Sequence, residues 1–148
     1  MGSDMRKLLV AICRQLSPIV AIAAFVHPAA AQQARPFHLV AAATNNATLI
    51  STGSHSLFGA QLGGVGAAPA YLKIYDKATA PTCGTDVPVK TLIIPSAATA
   101  ALGGGSNVNT AEGVLISLGL GICVTAGIAD NDNTAVAAAT YTINIDYK

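Results

Sequence analysis

Along residues 141–148, YTINIDYK, apolar and polar side chains alternate without a break. Tyr141, Ile143, Ile145 and Tyr147 fall on one side of an extended chain, and Thr142, Asn144, Asp146 and Lys148 on the other. That pattern predicts a strand with one buried and one wet face. The same period of two recurs in YLKIYDK (71–77), where Leu72 and Ile74 oppose Tyr71, Lys73, Tyr75 and Lys77. The stretch VPVKTLIIP (87–95) is rich in β-branched residues, and Pro88 and Pro95 restrict where it can pair. GVLISLGLGICVTAG (113–127) is too long for one flat strand, and Gly119 and Gly121 predict a bend, a bulge or a turn into a second strand. Weaker strands are read at FHLVAAA (37–43), closed by the Asn45-Asn46 turn signal, at ATLIST (47–52) and at HSLFGAQL (55–62). GGVGAAPA and ALGGGSN read as loops. PSAATAALGG (95–104) is the one helix-like stretch, and its Pro95 and glycines make it a poor one. Seven or eight short strands with regular turn signals predict an all-β fold, an antiparallel β-sandwich of jelly-roll-like type.

The 148 residues are 52% hydrophobic, but the first 31 read differently from the rest. Arg6, Lys7 and Arg14 form a positive region, SPIVAIAAFV (17–26) a short apolar run, and Ala29 and Ala31 the small-residue pattern of a cleavage site. The expectation is a signal peptide over 1–31, cleaved after Ala31, with a single domain over 32–148 and a secreted or periplasmic bacterial protein. The apolar run falls short of the roughly 20 residues that span a bilayer; a retained N-terminal anchor is the alternative. MGSD ahead of Met5 is separable from an otherwise ordinary start, MRKLLVAICRQL. After the leader the basic groups are Arg35, Lys73, Lys77, Lys90 and Lys148, and the acidic ones Asp76, Asp86, Glu112, Asp130, Asp132 and Asp146. A balance so close to neutrality attracts no phosphate backbone, so nucleic acid is not expected as a partner, nor a membrane once the leader is gone.

With Cys13 in the leader, Cys83 and Cys123 remain as an even pair in an oxidising compartment, and a disulfide between them is expected over two separate buried thiols. In ADNDNTA (129–135), Asp130, Asp132 and Thr134 alternate like the first ligands of a calcium loop. Ala135 replaces the turn glycine, however, and no Glu follows, so an Asx-rich turn explains the same residues. His38 and His55 lack converging carboxylates or thiols and read as solvated strand histidines. No G-x-S-x-G elbow, Cys–His pairing or phosphate loop occurs, so no catalytic residues and no cofactor are expected. Asn46-Ala47-Thr48 is a glycosylation sequon only in a eukaryotic setting.

Residues 71–90 concentrate five charges, two tyrosines and a cysteine. As scaffold, Lys73, Asp76, Lys77 and Lys90 form a solvated edge that discourages aggregation. As a site, Tyr71, Lys73, Tyr75 and Lys77 offer an exposed face for a carbohydrate or protein ligand.

The segment YLKIYDKATAPTCGTDVPVKTLIIP resembles a stretch of small proteins encoded among the structural genes of tailed phages and prophages, whose pattern runs roughly YLK-x-Y-(D/N)-K-A-x-A-P-T-x-G-T-D-x-P-V. The resemblance continues through GVLISLGLGICVTAGIADNDNTAVAAATYTINIDY and, more loosely, through NNATLISTGSHSLFGAQL. It implies a β-sandwich virion or surface component, decorative or adhesive and not an enzyme. The apparent leader departs from that pattern, as do Cys83 and Cys123, which stand where those proteins carry apolar residues. The expectation is a non-enzymatic exported structural protein acting by self-association, as a homo-oligomer, or by coating a surface. The alternative is a monomeric secreted binding module.

Overall fold

The structure, a computed structural model, describes residues 33–97 and 103–148. The expected leader and its cleavage site lie outside these residues, as does part of the helix-like stretch 95–104. Eight strands follow in chain order: β1 (Arg35–Val40), β2 (Thr48–Thr52), β3 (His55–Gly64), β4 (Ala70–Asp76), β5 (Lys90–Ile94), β6 (Gly104–Ile116), β7 (Gly119–Thr125) and β8 (Tyr141–Tyr147). They form two four-stranded sheets ordered β1-β8-β3-β6 and β2-β7-β4-β5, with every pairing antiparallel. Among the described residues there is no helix, and so none long and apolar enough to cross a membrane. The protein is an all-β sandwich.

Four of the pairings, β1·β8, β2·β7, β3·β6 and β4·β5, are those of one long hairpin folded at the β4–β5 connection. Two further pairings, β3·β8 and β4·β7, close that ribbon into two layers. Leu57, Ala60 and Leu62 of β3, Ile143 and Ile145 of β8, Leu72 and Ile74 of β4, Leu92 and Ile94 of β5, and Leu120, Ile122 and Val124 of β7 meet between the sheets. Each large aliphatic side chain buried there contributes about 1.5–3 kcal/mol by leaving water.

The two outer faces differ. β8 alternates strictly between buried and exposed positions, as its sequence predicts, so the outside of its sheet is wet. β4 and β7 are the inner strands of the other sheet and are buried on both faces: β7 is buried at every position and β4 over Leu72–Tyr75. The expectation of a half-buried, solvated strand at 71–77 is therefore overturned. Two loops lie over the outside of this sheet. The stretch 104–112, whose start reads as loop, is also corrected: it begins β6, the longest strand, while the turn expected near Gly119 falls at Ser117-Leu118.

Asn46 makes the β1–β2 turn. At 7% exposure and φ 53°, its Oδ1 accepts from Ala42 N at 2.7 Å, and its Nδ2 donates to Thr44 O at 2.8 Å and Ala42 O at 3.1 Å. The sequon residue is thus consumed by its own turn.

Candidate functional site

Directly opposed residues of an antiparallel pair share a face. Lys73 stands opposite Cys123 and Tyr75 opposite Gly121, so Tyr71, Lys73, Tyr75 and the Cys123 side chain all belong to the outside of the β2-β7-β4-β5 sheet. Cys123 is bonded to Cys83, with an S–S distance of 2.03 Å and Cα atoms 6.0 Å apart. The expected disulfide is present, and it fits an oxidising extracellular compartment. It draws the β4–β5 connection down onto the sheet. Pro81 is buried against Gly121, where a Cβ would come within 3.0 Å of its ring. Tyr75 forms a buried cluster with Cys83 and Cys123.

The site expectation for Tyr71, Lys73, Tyr75 and Lys77 is therefore corrected residue by residue. Tyr75 is fully buried, and its hydroxyl is, among the described residues, the buried side-chain polar atom without a hydrogen-bond partner. Burial pushes the phenol pKa up, with Asp86 and Asp130 adding to the effect. Lys73 is fully buried as well. Tyr71 is half-buried between Ile93 and Thr125. Lys77 remains partly accessible, with its ammonium paired to Asp86.

Lys73 anchors the second loop, from β7 to β8. Its Nζ donates to Ala129 O at 2.6 Å and Asp132 O at 2.8 Å, with Asp130 O at 3.5 Å. Burial pulls its pKa down, and the Asp132 and Asp130 carboxylates partly offset that. In the stretch weighed as a calcium loop against an Asx-rich turn, then, backbone oxygens converge on an ammonium. The Asp132 carboxylate closes the turn: Oδ1 accepts from Gly127 N at 3.0 Å and Thr134 N at 3.1 Å, and Oδ2 from the Thr134 hydroxyl at 3.0 Å. Burial pushes this carboxyl up, but those hydrogen bonds and the Lys73 charge together hold it below its ordinary value. Asp130 is exposed. Among the described residues no three His, Cys, Asp or Glu side chains gather in a way that could hold a metal ion.

Two further acids, Asp76 and Asp86, fasten turns. Asp86 accepts from Lys77 Nζ and from Thr82 N at 2.7 Å; the Lys77 hydrogen bond and then the Thr82 amide hold its pKa down. Asp76 accepts from Leu118 N at 2.6 Å, Ser117 N at 3.0 Å and Gly119 N at 3.3 Å. The Leu118 amide, then that of Ser117, lowers its pKa most. The two loops also touch each other. Gly84, at φ +82°, passes so close to Asn131 and Asn133 that a Cβ would lie 2.9 Å from Asn131 O. Sequence reasoning missed the roles of Lys73 and Asp76; a cysteine in a strand as apolar as β7 was the available sign that something covers it.

The outside of the other sheet is open and polar. Through the register His38↔Asn144↔Gln61↔Asn107, one row of imidazole and amide side chains crosses all four strands, and His38 Nδ1 lies 2.7 Å from Asn144 Oδ1. Val40, Thr142, Gly63 and Gly105 form the row on one side, and Pro36, Asp146, Gly59 and Asn109 that on the other. His38 is exposed, as expected. His55 is not simply solvated: its nitrogens lie 2.9 Å from Thr52 O and 3.1 Å from Lys148 O, with its ring edge-on to Tyr147. Comparison with known proteins finds no matching family, no matching curated protein and no matching solved structure.

Proposed function

We propose that this chain is a non-enzymatic, exported structural protein, a virion-like sandwich that works by self-association or by coating a surface. The observation that carries the reading is how the charges of the 71–90 region are used. Lys73, Asp76, Lys77 and Asp86 hold loops and turns against one sheet, with the disulfide beside them, so this chemistry makes a durable shell. The strand order supports it: a long hairpin rolled into two layers is the wrapping of a jelly roll, an architecture of capsid and lectin domains. The resemblance of residues 71–95 to phage structural proteins points the same way.

The test is an intact mass of the native protein from fractionated cells, with and without reduction, together with its sedimentation. A chain starting at Gln32, with both cysteines blocked until reduction and sedimenting as a defined assembly, is expected. A full-length cytoplasmic monomer with free thiols would sink the proposal.

A second reading has its own observation. A neutral glycan could hydrogen-bond to the amide row His38, Asn144, Gln61 and Asn107, which glycines flank at positions 59, 63 and 105. This moves the binding-module alternative from the tyrosines to the opposite sheet. Glycan-array binding abolished by Gln61→Ala, from a protein that stays monomeric, would favour it.

A further inference from the structure

The sandwich has four edge strands, and they are not equally defended. An edge offers unpaired N–H and C=O groups to any other strand, and proteins blunt it with prolines, cations, shortness or bulges. β1 carries Arg35 and Pro36. β2 has five residues and a register shift between Leu49 and Ser51. β5 also has five, begins at Lys90 and lies between Pro88 and Pro95. The first part of β6 has none of these devices. From Gly104 to Asn109 it pairs with β3 without a break, and it holds no proline, no charge and no bulge.

Its sequence is, moreover, self-complementary. In Ser106-Asn107-Val108-Asn109-Thr110 the chemistry reads the same in both directions about Val108. An isologous interface requires this, because residue i must meet j while j meets i. An antiparallel β6–β6 pairing about a two-fold axis at Val108 sets Val108 against its copy and Ser106 against Thr110. It also sets Asn107 against Asn109, and leaves the one nearby charge, Glu112, beyond the paired segment. Each pair is a favourable or neutral cross-strand neighbour. Val108 and Thr110 are half-buried at the rim of the core, and Asn107 and Asn109 point to water. A second copy would finish covering the former and pair the latter. Beyond Asn109 the register with β3 breaks and Gly113 takes φ +76°, so the flat edge ends just past Thr110 and the contact closes as a dimer.

We infer that β6 is the assembly edge, pairing antiparallel with β6 of a second copy about Val108 into one eight-stranded sheet. This rests on the self-association reading and names its contact. The experiment is sedimentation of the full chain beside Asn107→Lys/Asn109→Lys and Asn107→Glu/Asn109→Glu, each alone and mixed. The changes lie on the wet face; unchanged melting and an intact disulfide check the fold. The parent dimerises, each variant alone dimerises at least about ten-fold more weakly because like charges face each other, and the mixture recovers the dimer. In the parent, amides 106–110 gain exchange protection as concentration rises. If both variants assemble like the parent, the contact lies elsewhere and self-association stands. A mixture that stays monomeric overturns the register, and a parent monomeric at every concentration overturns both readings.

Discussion

Replacing Lys73 by Met keeps most of the aliphatic stem of a fully buried side chain and removes the ammonium that holds the β7–β8 loop. Two of its hydrogen bonds are short, to Ala129 O and Asp132 O, and the third, at 3.5 Å to Asp130 O, is marginal. Hydrogen bonds from a charged donor contribute about 1.5–3 kcal/mol each, so the two short ones amount to roughly 3–6 kcal/mol gross. Against this stands the several-kcal/mol cost of desolvating an ammonium, about which Met is indifferent. The expected net loss for Lys73→Met is about 2 kcal/mol, with the Asp132 carbonyl left without a donor and that of Ala129 keeping only the Asp132 amide. For a domain of this size that lowers the melting temperature by about 8 °C. Chemical denaturation gives the first figure, and hydrogen exchange across residues 127–134 shows whether the loop has come loose. The pH dependence is a second check. Because burial lowers the Lys73 pKa in the folded state, the unfolded chain holds its proton to higher pH. Parent stability therefore rises, relative to the variant, as pH climbs from the depressed value towards the ordinary lysine value of 10.5. A variant within about 0.5 kcal/mol of the parent, with unchanged loop exchange, would refute the idea that Lys73 anchors this loop.

Three other outcomes follow from the same geometry. Cys83→Ala/Cys123→Ala opens a loop of sequence separation 40, and the chain-entropy estimate gives a loss of about 3–4 kcal/mol in denaturant titration, matched by reducing the parent. On acidification, the carboxylates of Asp76, Asp86 and Asp132, all held below their ordinary value, stabilise the fold above the unfolded pKa. The unfolded chain takes up their protons first, so stability measured by pH titration falls below about pH 4. Asp76→Ala removes the acceptor for three turn amides and speeds hydrogen exchange at Ser117, Leu118 and Gly119 more than elsewhere. A uniform change would show that the turn does not depend on this cap.

The pattern of alternation was enough for the sandwich because its clearest strand, β8, lies beside an open face, where one side of the strand is wet and the period of two survives. β6 was hidden for the opposite reason. At an edge its inward positions, Ser106 and Thr110, are polar like its outward Asn107 and Asn109, so no hydrophobic period marks it, and its leading glycines imitate a loop. In β4 the alternation correctly placed Tyr71, Lys73 and Tyr75 on one face but could not say what lies over that face. Wetness is a property of tertiary cover, whereas the period reports only direction. The register supplies the missing step. Cys123 lies opposite Lys73, so a disulfide from Cys123 to a loop cysteine must bring that loop over the lysine's side of the sheet. A lysine under such cover requires acceptors, and backbone carbonyls of the neighbouring Asp/Asn-rich turn supply them. The charges of residues 71–90 cluster where two long loops must be held flat on a sheet, and a staple, a buried ammonium and two carboxylate-capped turns hold them there.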